Sequence, residues 1–477
     1  MARMRLLSVW SVLEERSQAM SITDTISRHL VATTFEGLPP KAVAATKQHV
    51  LHTLATIVGG SGAPGCLQVA DLVQSWGGRP ESTVLVYGHR APAPHAVLAN
   101  STLAHALDFC CNDDRIAYKS SVCAVPAALA LAERQGTSGK DFLTAACLGI
   151  DLGIRIGLNA QPKYQHISSP AVGPFAAAAT AGKLLGLDEE GMANALGLAL
   201  SECRASGTSI SSPALTKRLG PGLAAQGGVT AALLAAGGFP AQRDVLEGPR
   251  GYYQTFHRRE GNLDGLVSDL GKTFEVVNVW PKPYPSCRFT HASINAALKL
   301  YHEQGVRPDD IAGVRIVLCP RDDAHVGHGP DPQAKLHPRG VVDAQFSVPW
   351  TVSVALLRGR VFIGDMLPEG LRDPDVHRLT DKVTVVVDPK LDVGSREVKP
   401  AIVEVRTLQG KTYSQRVDTP RGSPEHPVTF EETKQVFRDC AAYAARPLSQ
   451  AQVEQAIALV DRLETAPDVS ALVKTLV

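Results

Sequence analysis

Apolar residues recur at steps of three and four positions along the first part of the chain, from about residue 21 to residue 271. This spacing places them on one face of a helix, and short breaks rich in glycine and proline separate the segments. The pattern predicts helices at 42–59, 95–109, 126–135, 140–159, 173–185 and 192–201.

The pattern of apolar residues changes after Pro281. Runs of β-branched residues at 314–320 and 382–389 predict strands, and a helical pattern at 344–357 separates them. The segment 401–417 predicts a hairpin that turns at Gln409 and Gly410. Helical periodicity then returns from residue 429 to the end of the chain.

These patterns predict a mainly α fold with an α+β insert. We expect a large all-helical domain over 21–271, a smaller α+β lid domain over 272–420, and a C-terminal helical return over 421–477. A cleft between two such domains is the usual place for a ligand.

The composition of the chain excludes several classes of protein. Hydrophobic residues make up 44% of the chain, and 48 basic residues face 47 acidic ones, so neither disorder nor a nucleic-acid partner is indicated. The nine cysteines follow no disulfide or zinc spacing, which favours a reducing, cytoplasmic location. Acidic Glu14 and Glu15 follow the short apolar run near the start, so we interpret residues 1–20 as a leader and not an export signal.

A stretch without charged side chains, 220–241, raises the question of a membrane. Gln226 and a run of glycines keep its hydrophobicity low, and Pro221 and Pro240 lie close to its ends. We therefore predict a buried helix and no membrane partner.

The first candidate for chemistry is the pair His105 and Asp108, three residues apart at a predicted helix end. On one helical face they would form a general acid/base pair. The local sequence equally allows Asp108 to cap the next turn and His105 to be a core histidine.

A second candidate is the basic start of a helix, where Lys282, Arg288 and His291 fall within ten residues. Backbone amides at a helix start favour an anion such as a carboxylate. The alternative is a solvated basic surface, but nearby Tyr284 and Phe289 indicate packing. Lys217, just before the charge-free helix, is a third candidate, whose alternative is an extended surface lysine.

Histidines and aspartates crowd the segment 320–338, which suggests a metal site. The histidines lack the helical spacing that prepares a zinc site, and the many Gly and Pro residues predict a mobile loop. The sequence also lacks a phosphate-binding glycine loop and a dinucleotide fingerprint. We therefore predict neither a metal nor an organic cofactor.

Five ordered segments, AHALDF, VGPFAAAATAGKLLGL, TKRLGPGLAAQGG, KPYPSCRFTHASINA and VVDAQFSVPWTVSVALL, resemble the MmgE/PrpD family over residues 21 to about 460. That family includes 2-methylcitrate dehydratase, cis-aconitate decarboxylase and iminodisuccinate epimerase. The resemblance implies a helical domain with an inserted α+β lid, usually in a homodimer. It also implies cofactor-independent chemistry on a small polycarboxylate.

By residue, the resemblance implies that Asp108 belongs to the site, that Lys217 and Lys282 contact substrate, and that Arg288 and His291 lie nearby. His166 resembles a second family histidine, and Trp350, which we expect to contact substrate, stands where a tyrosine is common. The chain departs from the family in one loop: Lys119 and Ser120 stand near the place of a catalytic histidine. Lys119 could therefore act as a base or as an anion contact.

Our leading hypothesis is a lyase that removes a proton alpha to a carboxylate of a small di- or tricarboxylate and expels water or carbon dioxide. Asp108, His105, His166 or Lys119 would supply acid and base, and the basic residues would bind carboxylates. The alternatives are an epimerase on the same scaffold and an inactive binding homologue.

Overall fold

The structure is a computed structural model, and it describes residues 21–116, 118–119, 121–160, 169–204, 214–258, 261–394 and 398–477. The larger part of the fold is a set of packed helices. Their bounds are Ile22–Ala32, Pro40–Ser61, Cys66–Trp76, Ala93–His105, Ser121–Gln135, Gly139–Leu158, Ser169–Leu184, Glu189–Ser201, Thr216–Ala236, Tyr252–His257 and Leu263–Val267. A small hairpin of two short antiparallel strands, β1 (Ser82–Thr83) and β2 (Arg90–Ala91), lies among them.

The six helices predicted in this part are confirmed, with shifts at their ends. The helix predicted to reach residue 109 ends at His105, four residues early. Asp108 has a φ of 49°, a left-handed conformation that a continuing helix does not allow.

The helix Thr216–Ala236 lies at the centre of the helical part, against Ala93–His105, Ser169–Leu184 and Glu189–Ser201. Its glycines allow this close approach: a Cβ at Gly228 would lie 2.7 Å from the Cβ of Ala177. By length and composition the helix is apolar enough to cross a membrane, and a bent pair, Pro40–Ser61 with Cys66–Trp76, passes the same test. Neighbouring helices bury 56% of the central helix's most apolar window, as expected for a core helix.

The smaller part contains a four-stranded sheet of β3 (Ile311–Leu318), β4 (Val383–Val387), β5 (Ala401–Thr407) and β6 (Thr412–Val417). The strand order is β4-β3-β5-β6, with β3 parallel to β4 and the other pairs antiparallel. The hairpin predicted at 401–417 is confirmed, and Gly410 takes the positive φ of 84° in its turn.

Helices cover this sheet. Their bounds are His291–His302, Pro320–Asp322, Pro332–Leu336, Val341–Gln345, Val348–Arg358 and Pro374–Thr380. The single helix predicted at 344–357 is two helices, because Ser347 interrupts it: its hydroxyl accepts the Trp350 N–H at 2.9 Å and caps the second helix.

The prediction of a mobile loop over 320–338 is wrong. A short helix, a π-helical turn and a second short helix span most of this segment. Lys335 explains the order, because the residue is 8% exposed and its ammonium donates to the carbonyls of His325 and Phe346.

Two hydrophobic cores divide the described chain. One combines apolar residues from Ile26 to Val279 with those of the C-terminal helices Phe430–Ala441, Gln450–Asp461 and Ser470–Lys474. The other runs from Tyr284 to Val417 and fills the space between sheet and helices. The fold class, mainly α with a smaller α+β part, is confirmed.

Candidate functional site

Asp108 lies at the junction of the two cores, in the turn that ends the helix Ala93–His105. Its N–H donates to the His105 carbonyl at 3.1 Å, and the residue is 3% exposed. A non-glycine residue with positive φ carries a conformational cost, and such residues concentrate at functional sites. The turn aims the carboxylate away from the helix and towards two lysines.

Lys217 and Lys282 approach Asp108 from different parts of the chain. The Lys217 ammonium donates to Oδ1, and the Lys282 ammonium donates to Oδ2 at 2.8 Å. Lys282 also donates to the carbonyls of Asp108 at 2.6 Å and Ser286 at 2.9 Å, which uses all three of its N–H groups. These three predicted site residues therefore form one cluster, as the sequence analysis required.

Lys217 is the more open of the two lysines. Its side chain is 17% exposed, against 1% for Lys282. Besides Asp108 it contacts His105 Nε2 at 3.1 Å, and its ammonium lies 5.2 Å from the ring centre of Phe346 in the smaller part. Two hydrogen bonds leave one N–H of Lys217 without an acceptor among the described residues.

The contacts of His105 fix its tautomer. An ammonium only donates, so Nε2 accepts from Lys217 and the ring proton resides on Nδ1, which faces Cys110 Sγ at 3.2 Å. Burial, followed by the charge of Lys217, holds the pKa of His105 well below its usual value. His105 is therefore a neutral acceptor beside Lys217.

Asp108 stays ionised. Burial acts to raise the pKa of its carboxyl, but the ammonium groups of Lys217 and Lys282 together bring the pKa well below the ordinary value. A carboxylate held this firmly is a weak base, so its main action is to position the two lysines.

Lys119 belongs to the same cluster but has no carboxylate in contact. Its ammonium donates to Asn112 Oδ1, and its backbone N–H donates to Ser169 Oγ at 3.3 Å. Burial, and next the charge of Lys282, lower the pKa of Lys119 from 10.5 to about 8. The pKa of Lys119 therefore lies close to neutrality.

Arg288 does not act as a free carboxylate clamp in this arrangement. Nε and Nη2 donate to the two oxygens of Asp114 at 2.8 and 2.7 Å. Nη1 donates to His291 Nδ1 at 3.1 Å and to the Arg421 carbonyl at 2.7 Å, and Nη2 donates to the Gly422 carbonyl at 2.8 Å. All five N–H groups are used.

His291 is part of the same interaction and not of the Asp108 cluster. Because Nδ1 accepts from Arg288, the ring proton is on Nε2, which faces the Ser286 carbonyl at 3.4 Å. Burial and the charge of Arg288 keep the pKa of His291 well below its usual value. We infer that Arg288 and His291 join the two parts of the fold.

Trp350, expected to contact substrate, lies in the second core instead. It is 0% exposed, its indole N–H donates to the Asp365 carbonyl at 3.0 Å, and it packs on His377. The tryptophan fills a core position, which sequence similarity at that position did not reveal. His166 falls outside the described residues.

Within the described ranges, no group of three or more His, Cys, Asp or Glu side chains is arranged to hold a metal ion. The histidines of segment 320–338 have separate partners: His325 contacts the Arg321 carbonyl, His328 contacts Asp323, and His337 contacts His377. The absence of a cofactor stays a prediction.

Sequence reasoning missed Asn112, Asp114 and Cys110. Asn112 accepts from Lys119 and forms a β-bridge with Trp280, with both N–H···O distances 2.8 Å. Asp114 neutralises Arg288, and Cys110 orients His105. The sequence does show three polar or acidic residues shortly after Asp108. It does not show which basic side chain each of them contacts.

Comparison with known proteins gives relatives of full length but low identity. The chain is 26% identical over 471 residues to cis-aconitate decarboxylase of Aspergillus terreus, covering 92% of this chain and 93% of the relative. It is 25% identical over 460 residues to the cis-aconitate decarboxylase-like protein oryM of Aspergillus oryzae, covering 91% and 93%. It is 28% identical over 398 residues to human cis-aconitate decarboxylase, covering 80% and 79%.

Two family profiles match successive parts of the chain. The MmgE/PrpD N-terminal domain matches residues 24–262, which hold Asp108, Lys119 and Lys217. The MmgE/PrpD C-terminal domain matches residues 284–465, which include the sheet of the smaller part. The chain therefore belongs to the MmgE/PrpD family.

Proposed function

We propose that this protein is a lyase that forms a carbanion next to a carboxylate of a small di- or tricarboxylate. The observation that carries the proposal is the pair of ammonium groups, Lys217 and Lys282, on Asp108 at the junction of the two cores, with Lys119 close enough for the charges of Lys282 and Asp108 to act on its pKa. The charge developing on such a carbanion spreads onto the neighbouring carboxylate, so fixed cations beside that carboxylate lower the barrier.

Two of the three lysines have N–H groups to offer a substrate. Lys217 has one and Lys119 has two without an acceptor in the described part of the chain. All three N–H groups of Lys282 already have acceptors, so its role is to hold Asp108 in place. We assign a substrate carboxylate to Lys217, whose ammonium faces Phe346, and assign proton transfer to Lys119.

Lys119 is our candidate for moving the proton. Proton transfer is most efficient when the pKa of the group lies near the working pH, and Lys119 meets this condition at about 8. For loss of water, the neutral amine of Lys119 takes the proton from the carbon and the resulting ammonium gives it to the departing hydroxyl group, while Lys217 stabilises the carbanion. For loss of carbon dioxide, the electrons of the broken C–C bond form the carbanion, and the ammonium of Lys119 donates the proton to it. In this respect the chain replaces an imidazole by a desolvated amine.

The relatives favour a tricarboxylate such as cis-aconitate as the substrate class, because four of them are named cis-aconitate decarboxylases. At identities of 26 to 28%, this chain can still expel a different leaving group from that of the named decarboxylases. Expulsion of water and expulsion of carbon dioxide both pass through a carbanion next to a carboxylate, which nearby cations stabilise. The proposal therefore includes both reactions.

Incubation with cis-aconitate, citrate and malate, each in ordinary and in deuterated water, tests the proposal. We expect at least one acid to lose 18 or 44 mass units, the masses of water and carbon dioxide. Deuterium exchange with a change of configuration and no mass loss would identify an epimerase. Saturable binding by calorimetry without any product would identify an inactive binding homologue, and either outcome overturns the lyase.

A further inference from the structure

Arg218, next to Lys217, is a buried cation without a counterion among the described residues. The residue is 4% exposed, and its Nη2 group has no hydrogen-bond partner in the same part of the chain. Its Nη1 group donates to the Pro64 carbonyl, which is neutral. A buried charge without an opposite charge is costly, so native proteins almost always pair one.

No Asp or Glu of the described ranges forms an ion pair with Arg218, and residues 205–213, which lie outside those ranges, contain neither residue type. The Cys66 thiol is close enough to interact electrostatically with the guanidinium, but burial raises its pKa to about 11, so it stays uncharged.

The contact with the Pro64 carbonyl places the guanidinium beside the start of a helix. The helix Cys66–Trp76 begins two residues after Pro64, and Gly65, with a φ of 88°, provides no side chain to cap it. The amides of Leu67 and Gln68 have no acceptor among the described residues. An uncapped helix start of this kind attracts an anion through its free N–H groups and its dipole.

We propose that Arg218 and the first turn of the helix Cys66–Trp76 form a binding site for a small anion, either inorganic such as chloride or a simple carboxylate. Leu67 is 54% exposed, so the turn is open to solvent on one side. The bound anion ties the start of the helix Thr216–Ala236, and with it Lys217, to the segment at Pro64. The site does not depend on the proposed reaction.

Thermal unfolding of the full chain tests this site. Ionic strength is held constant while sodium gluconate is exchanged for sodium chloride, and sodium acetate and sodium phosphate form parallel series. For the wild type we expect Tm to rise by on the order of 1–2 °C for each tenfold increase of the effective anion above its Kd. The series that gives the rise identifies the anion.

Three variants locate the effect. Arg218→Met should abolish the anion dependence, whereas Arg250→Met, which removes an exposed arginine, should retain it. Cys66→Asp places a carboxylate at the helix start beside the guanidinium, so it should also abolish the dependence and raise Tm in gluconate. If Arg218→Met fails to fold, Cys66→Asp alone decides.

Two outcomes would overturn the site. One is an unchanged anion dependence in Arg218→Met or in Cys66→Asp. The other is a wild-type Tm that ignores all three anions, or that follows protein concentration instead, since a second copy of the chain would then supply the counterion.

Discussion

Two clusters of buried charge cross from the helical part to the α+β part, and they differ in how completely their donors are used. In the cluster around Arg288, all five guanidinium N–H groups have acceptors, among them both oxygens of Asp114. In the cluster around Asp108, Lys217 and Lys119 retain N–H groups without acceptors in the described ranges. A cluster whose N–H donors all have acceptors, a saturated cluster, can hold the two parts together. A cluster with unused N–H donors, an unsaturated cluster, can also bind a substrate carboxylate.

The sharpest test of the saturated cluster is Arg288→Met. This change leaves Asp114 buried and unpaired, and breaking a buried pair typically costs about 3–5 kcal/mol. We expect a loss of that size in the free energy of unfolding, measured by denaturant titration. Arg339→Met is the control, since its ion pair with Asp331 is exposed and should contribute little. An unchanged stability with weakened substrate binding would instead make Arg288 a clamp.

Asp108→Asn is the corresponding test of the unsaturated cluster. The amide keeps the shape but removes the charge that orders Lys217 and Lys282. We expect an intact circular dichroism spectrum and a rate reduced by at least about a hundredfold, the scale of a lost acid/base or electrostatic group. Asp113→Asn, in the same loop but paired with Arg115, should keep far more activity. Full turnover in Asp108→Asn would remove Asp108 from the site.

Lys217→Met should weaken substrate binding. A hydrogen bond to a charged group contributes about 1.5–3 kcal/mol, so we expect affinity for the polycarboxylate to fall by roughly ten- to a hundredfold in calorimetry. Lys140→Met is a suitable control, because that lysine is half exposed and pairs with Glu36. Equal affinities in the wild type and Lys217→Met would reject the assigned carboxylate contact.

The smallest expected effect is a pH dependence carried by Lys119. Because the neutral amine is the active form for loss of water and its pKa is about 8, kcat/KM of that reaction should rise with pH up to about 8 and then level. Lys119→Met should lose this limb, and Lys119→His should move it to lower pH, since an imidazole titrates near 6.5. A rate that falls through pH 8 would make Lys119 the proton donor instead, as in loss of carbon dioxide.

Periodicity and local chemistry predicted much of this fold, because helices with apolar faces and a glycine-turned hairpin are encoded within a few residues. The break at Ser347 and the order of segment 320–338 were not predicted. Both also depend on contacts across the segment: the Ser347 hydroxyl donates to the Lys335 carbonyl, and the Lys335 ammonium donates to the Phe346 carbonyl. No local pattern specifies either contact.

The candidate site divides in the same way. The resemblance named Asp108, Lys217 and Lys282, which the structure places in contact, but it could not show that all N–H groups of Arg288 have acceptors or that Trp350 is in the core. Charge and residue type are visible in a sequence. The number of donors left over after folding is visible only in the structure.

The glycine contacts of the helix Thr216–Ala236 give distant positions an influence on Lys217. Gly228 lies eleven residues beyond Lys217 on the same helix, or about 16 Å at 1.5 Å per residue. Since a methyl group at Gly228 would press on Ala177, the whole helix would have to slide or tilt. Selection for activity can therefore act through the spacing of alanines and glycines far from any charged group.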